Sequence, residues 1–407
     1  MVKDKEDRSP RMEEFNPRDA IVNSELRMLE EGPTMRAMGL LAPPVARQTF
    51  SAGPGFQETS RDPFHPCIDK PRIILDAEVW DIHDSKLSFV PEHFVLERTS
   101  IFVGNCRASV VAARIADCLR KRSIESHFNS AKAKVKCYTQ QFVEFRVRLF
   151  AGKEECDHGV IVEVQRRSGS AVYFRDDYRA ICDAAKGIQE DYTPIPEWSV
   201  GSLKDESLPC QDSSMESIEL ACQLLKEDRL DANLLGIQSL VLLTDAEKCG
   251  PDAALLASKE IVSHSEQADL RNIVASLIET GVMDPDENDP LNKANGIFFN
   301  LRANSFLALC NALKVCAKDG SLFQSIVQQP WYMDILVPIL TKELKNAETS
   351  PLIALLSVRC LNILVENSVD CRSKALDIGA LGALENARKF GRARYASLAT
   401  ETERGVA

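Results

Sequence analysis

Between Arg72 and Gly187 the spacing of apolar residues changes period twice. Over Asn105–Lys121 the apolar positions Val111, Ile115 and Leu119 fall at steps of four, which predicts an amphipathic helix. The period then drops to two, and side chains on a strand alternate between its faces. Ala131–Tyr138 sets Lys132, Lys134 and Lys136 opposite Ala133, Val135 and Cys137. Phe142–Phe150 sets Glu144, Arg146 and Arg148 opposite Val143, Phe145, Val147 and Leu149. Val160–Gln165 directs Val160, Val162 and Val164 inward and Glu163 and Gln165 outward, with Arg167 outside and Arg166 at the rim. Turns are expected at Gly152–Gly159 and at Ser168-Gly169. From Asp176 the helical period returns, with Tyr178, Ile181, Cys182 and Ala185 on one stripe and Gly187 as the stop. Helix, antiparallel meander and helix predict an α+β domain over residues 72–190.

After a polar, proline-bearing linker at 191–212, every segment reads as helix. SIELACQLLKE, ANLLGIQSLVLLTD, AALLASKEIVSH, ADLRNIVASLIETG, NSFLALCNALKVCA, MDILVPILTKELKN, LIALLSVRCLNILVEN and ALGALENARKFG succeed one another with short breaks. Several are apolar on more than one face, so they must be covered on both sides in a layered stack. LLGIQSLVLLTD, FLALCNALKVCAKD and LLSVRCLNILVENS share one pattern, with Leu240, Leu313 and Leu361 as equivalents. The second interval is 48 residues; the first, 73, leaves room for a further unit around VASLIETG. Repeats of about forty residues resemble the armadillo or HEAT type. LLSVRCLNILVENSVDCRSKALDIGALGALENARKFG is most similar to an armadillo repeat, in its leucine-rich helix, its VENSVDCRSKAL break and its GALGAL opening. The resemblance implies an armadillo-like superhelix of four imperfect repeats over 213–392, with 393–407 as a capping helix or a free end. Importin-type arrays carry asparagines on each third helix. The corresponding residues are Leu242, Val315 and Ile363, so nuclear import is not implied.

Composition adds little until it is resolved along the chain. Residues 1–71 are rich in proline and read as disordered, apart from one short helix at Pro17–Glu31. The thirteen cysteines lack any CxxC pair and read as reduced, buried residues. The N-terminus lacks the apolar core of a signal peptide and no apolar run is long enough to span a bilayer. A cytoplasmic location is expected, with the nucleus as alternative. Charge is segregated. The chain carries −11 overall, whereas residues 104–186 hold 16 Lys or Arg against 10 Asp or Glu, a net of +6.

Motifs for catalysis are missing: there is no GxxxxGK[ST], GxSxG or HExxH. Cys156-Asp157-His158 is the one local cluster of soft ligands, and it is too small for a zinc site. Asp284, Asp286 and Asn288 match the first ligand positions of a calcium loop. Asp289 and Asn295 stand where its Gly and Glu belong, so an acidic interhelix loop is the expectation. The chain is read as a non-enzyme with no cofactor and no metal.

The cations offer more. Three readings of the outward face stay open: a solvated sheet face whose lysines and arginines block edge pairing, a surface for anionic lipid, or a surface for nucleic acid or an acidic protein. For RNA the stacking aromatics would have to be Tyr138 or Tyr173. FVLERTSIFVG, the helix NCRASVVAARIADCLRK, three strands and VEVQRRSGSAVYFRDDYRAICDAA together resemble the kinase-associated C-terminal domain of microtubule-affinity-regulating and AMP-activated-type kinases. That resemblance implies binding of acidic phospholipid through Lys134, Lys136, Arg146, Arg148, Arg166 and Arg167. The expected function is a non-catalytic scaffold. Its helical repeats bind a protein partner and its basic sheet face binds an acidic partner or anionic lipid. An RNA- or DNA-binding adaptor using the same face is the alternative.

Overall fold

The computed structural model describes residues 80–152, 159–188, 211–263, 269–280 and 292–406. The expected N-terminal disorder and Pro17–Glu31 helix, the Cys156-Asp157-His158 cluster, the acidic loop at 284–289 and nearly all of the linker lie outside these residues. The sheet half has five strands in the order β1 (Ser100–Gly104), β5 (Gly159–Ser168), β4 (Glu144–Ala151), β3 (Lys134–Tyr138), β2 (Glu125–Asn129), all neighbours antiparallel. Helices α1 (Ala108–Lys121) and α2 (Ala171–Lys186) cover one face. The core between the layers joins Val111, Ile115 and Leu119 of α1 and Phe174 and Ile181 of α2 to Val135, Phe145, Val147, Val162 and Val164 of the sheet.

Two strands exceed the three-run meander, β1 and the polar edge strand β2. Helix α2 begins at Ala171, five residues before Asp176, and Gly187 ends it in the left-handed conformation at φ 82°. Lys132 is a correction. Asn129 Oδ1 accepts from Lys132 N at 3.0 Å, so residues 130–132 form a 3-10 turn and Ala133 takes φ 44°. The strand therefore starts at Lys134, and Lys132 leaves the row of cations.

The other half is helical: α3 (Gln211–Lys226), α4 (Leu230–Leu243), α5 (Ala246–Cys249), α6 (Pro251–Val262), α7 (Asp269–Glu279), α8 (Asn292–Cys316), α9 (Gly320–Val327), α10 (Val337–Lys345), α11 (Pro351–Asn367), α12 (Val369–Asp377), α13 (Ala380–Arg394) and α14 (Ala396–Val406). A π-turn at Tyr332–Leu336 leads into α10, whose Pro338 lacks the N–H that a regular turn would need. One layer runs α4, α8, α11, α14, each packed on the next. The helices α3, α6, α7, α10 and α13 back it. Leu240, Leu313 and Leu361 lie on successive helices of the first layer, all buried, as their shared pattern predicts. The long interval before Leu313 does not hold a separate layer member. Helix α4 packs directly on α8, and the VASLIE part of VASLIETG lies in α7, which packs beside α6 and α8. VENSVDCRSKAL is not a break but contains α12, with Ser368 Oγ accepting from Cys371 N at 3.3 Å as its cap. The tail is α14, packed on α11 and α13 so closely that a Cβ at Gly391 would come within 2.5 Å of Ala399 N. No helix among the described residues is long and apolar enough to cross a membrane.

The described residues belong to one compact unit, in which the two halves touch. Helix α1 meets α13 and α14, while Tyr138 and Phe142 pack against the helical core.

Candidate anion-binding face

The pairing register builds the uncovered face of the sheet row by row. Asn129, Lys134, Arg148 and Glu163 lie side by side across β2–β5. His127, Lys136, Arg146 and Gln165 form the next row, and Glu125, Tyr138 and Glu144 the third. Lys134, Lys136, Arg146 and Arg148 therefore share one face, as their alternation requires. Directly opposed like charges repel at this spacing, so such a block of four carries an electrostatic cost that neighbouring anions offset.

That face is not simply solvated. All four of these cations are half-buried, and Lys134, Lys136 and Arg146 are each engaged in polar, ionic or ring contacts. Arg148 stacks over the Phe94 ring, 5.5 Å from its centroid, and its Nη1 lies 3.9 Å from Glu163 Oε2. Glu163 points to this face as predicted but is fully buried, because residues 88–99 cross it. Its Oε1 accepts from Glu97 N at 3.1 Å, Phe94 packs against Phe150 with ring centroids 5.9 Å apart, and Ala151 N donates to Ser88 O at 3.0 Å.

Arg166 and Arg167 differ from the other four. They are exposed, beyond a register shift at Glu144/Phe145 that places Arg166 opposite Phe145. Arg166 therefore lies on the rim of the core side, and its Nη1 donates to Gly169 O at 2.6 Å, closing the Ser-Gly turn. Arg167 donates to Gln165 Oε1 at 3.2 Å and stays with the cation face.

The opposite end of the face meets the helices. Tyr138 stacks edge-on against Phe299 of α8 at 5.3 Å, and its hydroxyl donates to Asn300 Oδ1. Burial pushes that hydroxyl's pKa well above its ordinary value. Ser123 Oγ accepts from Ser397 N at 2.7 Å and donates to Ser397 Oγ at 2.8 Å, while Gln140 Nε2 donates to Ser397 Oγ at 3.4 Å. Ser397 is the second residue of α14, so the sheet half supplies the cap for that helix. Neither aromatic that could stack RNA bases is placed for it, since Tyr138 is docked and the exposed Tyr173 lies on α2, against the other face.

His127 is the member of the cation rows whose ordinary pKa lies near neutral pH. Its Nε2 lies 3.0 Å from Glu125 Oε1, and that hydrogen bond raises its pKa above the ordinary 6.5 against opposition from burial, Lys136 and Arg394. A raised folded-state value means that the stabilisation is complete below the unfolded value and is lost as pH rises through the folded one. In an NMR titration the imidazole is expected to titrate above 6.5, and Glu125→Gln is expected to lower its midpoint. A midpoint unmoved by that substitution removes Glu125 as the cause.

Elsewhere, an open cavity of about 480 Å³ is lined by Lys226, Asn272, Ile273, Ser276 and Leu277, with no carboxylate, thiol or imidazole in its wall. Among the described residues no group of three or more His, Cys, Asp or Glu could hold a metal. The ten described cysteines are free thiols, six of them buried, and burial pushes Cys118 up to about 12 and Cys182 to about 11. Of the three positions aligned with armadillo asparagines, Leu242 is exposed, Ile363 half-buried and Val315 buried. Asparagines instead pin neighbouring helices of the layer: Asn311 Nδ2 donates to Val241 O at 3.3 Å and Asn362 Nδ2 to Glu401 O at 3.0 Å. No protein-family model and no curated protein matches the chain.

Proposed function

We propose that the protein is a non-catalytic scaffold whose sheet half binds an anionic surface and whose helical half binds a protein partner. The observation that carries the first part is the placement of Lys134, Lys136, Arg146 and Arg148 in two adjacent rows of one face, in the net-positive part of an acidic chain. Acidic phospholipid is the ligand class, in keeping with the resemblance to kinase-associated C-terminal domains. The order of one strand, a helix, four antiparallel strands and a closing helix supports that likeness. The helical half is an array of the armadillo type. Supporting this are the buried Leu240, Leu313 and Leu361 on successive layer helices, and the twofold recurrence of a short helix followed by two longer ones, α9–α10–α11 and α12–α13–α14. Binding of a partner through such an array, and residence in the cytoplasm, are parts of the same proposal.

Co-sedimentation of the full chain with vesicles tests the sheet half. Each basic residue near an anionic surface contributes ~1 kcal/mol, so Lys136→Ala with Arg146→Ala is expected to weaken binding about 30-fold together. Equal affinity for acidic and neutral vesicles would sink the reading.

A further inference from the structure

The contact between the two halves falls at one end of the cation face, and it has the composition of a separable latch. Beside the meeting of α1 with α13 and α14, three short segments of the sheet half make it. They are the turn after α1 with Ser123, the end of β3 with Tyr138, and the β3–β4 turn with Gln140 and Phe142. The helical half answers with Phe299 and Asn300 of α8 and Ser397 of α14. Each half keeps its own core, and among the described residues the half-buried Tyr138 and Phe142 are the apolar side chains of the sheet half packed on the helical core, their rings meeting edge-on at 6.3 Å. An interface of a few polar bonds, three aromatics and the ends of α1, α13 and α14 resembles a transient contact more than a shared core.

Backbone conformation sets this contact apart. Four non-glycine residues among those described have positive φ, and two of them, Ser123 at 53° and Phe142 at 60°, are latch residues. For a residue as large as Phe that conformation is unfavourable by about 1–3 kcal/mol and persists only where its surroundings hold it. Both conformations are held within the sheet half, by the bond from Ile124 N to Leu119 O at 2.9 Å around Ser123 and by that from Phe142 N to Thr139 O at 3.1 Å in the β3–β4 turn. These loops are therefore shaped for docking whether or not the halves are joined. Docking in turn covers the third row of the cation face. Tyr138 stands on β3 two residues from Lys136 and opposite Glu144, and the α13 residue Arg394 acts on His127 of the second row. Lys136 and Arg146 form the row next to Tyr138, whereas Lys134 and Arg148 lie one row further off, where Phe94 covers Arg148.

We infer that the helical half is an intramolecular inhibitor of the basic face: closed, the Ser123–Tyr138–Phe142 latch restricts approach of an anionic membrane, and release of the latch opens the face. This rests on the reading that the face binds acidic phospholipid. It also makes the two activities reciprocal, because whatever favours the undocked state at one half favours binding at the other.

The test uses the full chain with Asn300→Arg, a substitution in the helical half that meets Tyr138 but adds nothing to the sheet. A second variant, Ser397→Glu, puts a residue suited to the first turn of α14 where the Ser123 contact has no room for it. Two measurements accompany each: co-sedimentation with vesicles of phosphatidylserine and phosphatidylcholine against phosphatidylcholine alone, and gel filtration after cleavage at a protease sequence placed within 191–205. In the unsubstituted protein the cleaved halves are expected to co-elute, and in both variants to separate, with unchanged helical content by circular dichroism. Binding to the acidic vesicles is expected to rise about 5-fold or more in the variants, the lower end of ordinary coupling between sites. Equal vesicle binding by all three proteins, with separation in the variants, overturns the inhibitor and leaves the anionic reading standing. Binding by none of them overturns both. Halves that separate without any substitution show that no latch exists.

Discussion

Replacing Arg302 by Ala is expected to lower the stability of the helical half by about 3–5 kcal/mol, the usual result of stranding one partner of a buried ion pair. Arg302 leaves α8 into a site where 6 % of its side chain is exposed, and Glu343 of α10 faces it with 8 % exposed. Arg302 Nη2 donates to Glu343 Oε1 at 3.0 Å, its Nε donates to Ile278 O at 3.1 Å, and its guanidinium lies 5.3 Å from the Phe306 ring centroid. One side chain therefore joins α7, α8 and α10. The Ala variant keeps a carboxylate in that site with no cation and leaves the Ile278 carbonyl without its donor. Since domains are stable by about 5–15 kcal/mol, the loss is a large fraction of the total. Arg302→Met combined with Glu343→Leu removes both charges together and is expected to recover most of it. Denaturant midpoints followed by helical circular dichroism check both. A single variant within ~1 kcal/mol of the parent would mean that water or another group takes over the site.

Alternation along Phe142–Phe150 and Val160–Gln165 was enough to assign every strand residue there to its face, because one face of each strand packs under α1 and α2. What alternation cannot report is what lies over the other face. Glu163 was correctly directed outward, yet residues 88–99 bury it, and nothing in the period of β5 encodes a chain segment sixty residues away. Strand β2 (ESHFN) gave no pattern because it is an edge strand with Phe128 as its one large apolar residue. The Lys132 error has a local cause: AKAKVKCY continues the alternation through a residue that Asn129 recruits into a turn. Among the helices, length and apolar faces identified the long members of the stack. The shorter α9, α12 and α14 bury only a few residues each, Phe323, Ile326 and Val327 in α9 and Cys371 and Ala375 in α12, too short a run for the period to stand out. Helices α12 and α14 are fixed by caps at Ser368 and Ser397. All six candidate site residues are placed by the sheet, but as two groups, the four half-buried cations on β3 and β4 and the exposed Arg166 and Arg167. The latch was invisible for a further reason. Ser123, Gln140 and Phe142 sit in turns, where no periodicity exists to read, and Tyr138 is one more alternating residue until Asn300 is found opposite it.

The second large effect concerns the leucines that first suggested a repeat. Leu240→Ala, Leu313→Ala and Leu361→Ala each delete a side chain that is at most 1 % exposed, and each is expected to cost about 2–5 kcal/mol. Equal burial does not make their consequences equal. In a stack whose members contact their neighbours, stability is a sum of unit and interface terms, and damage stays near the site unless the interface terms carry it further. Leu240 lies on α4, which packs on α3 at one side and on α8 at the other. Loss of its packing is expected to release α3 and α4 while α8–α14 and the sheet stay folded. Leu361 lies on α11, held between α8 and α14, and Arg359 Nε and Asn362 Nδ2 bond Glu401 Oε1 and the Glu401 carbonyl at 3.1 and 3.0 Å. Because α14 is capped by Ser123, weakening α11 loosens the helix on which the sheet half is latched. Hydrogen exchange is the measurement that separates these cases. Leu240→Ala should accelerate exchange in residues 211–243 alone, whereas Leu361→Ala should accelerate it in α11, in α14 and at the Ser123 and Tyr138 amides. Uniform acceleration in all three variants would instead describe one cooperative unit with no boundary inside the stack.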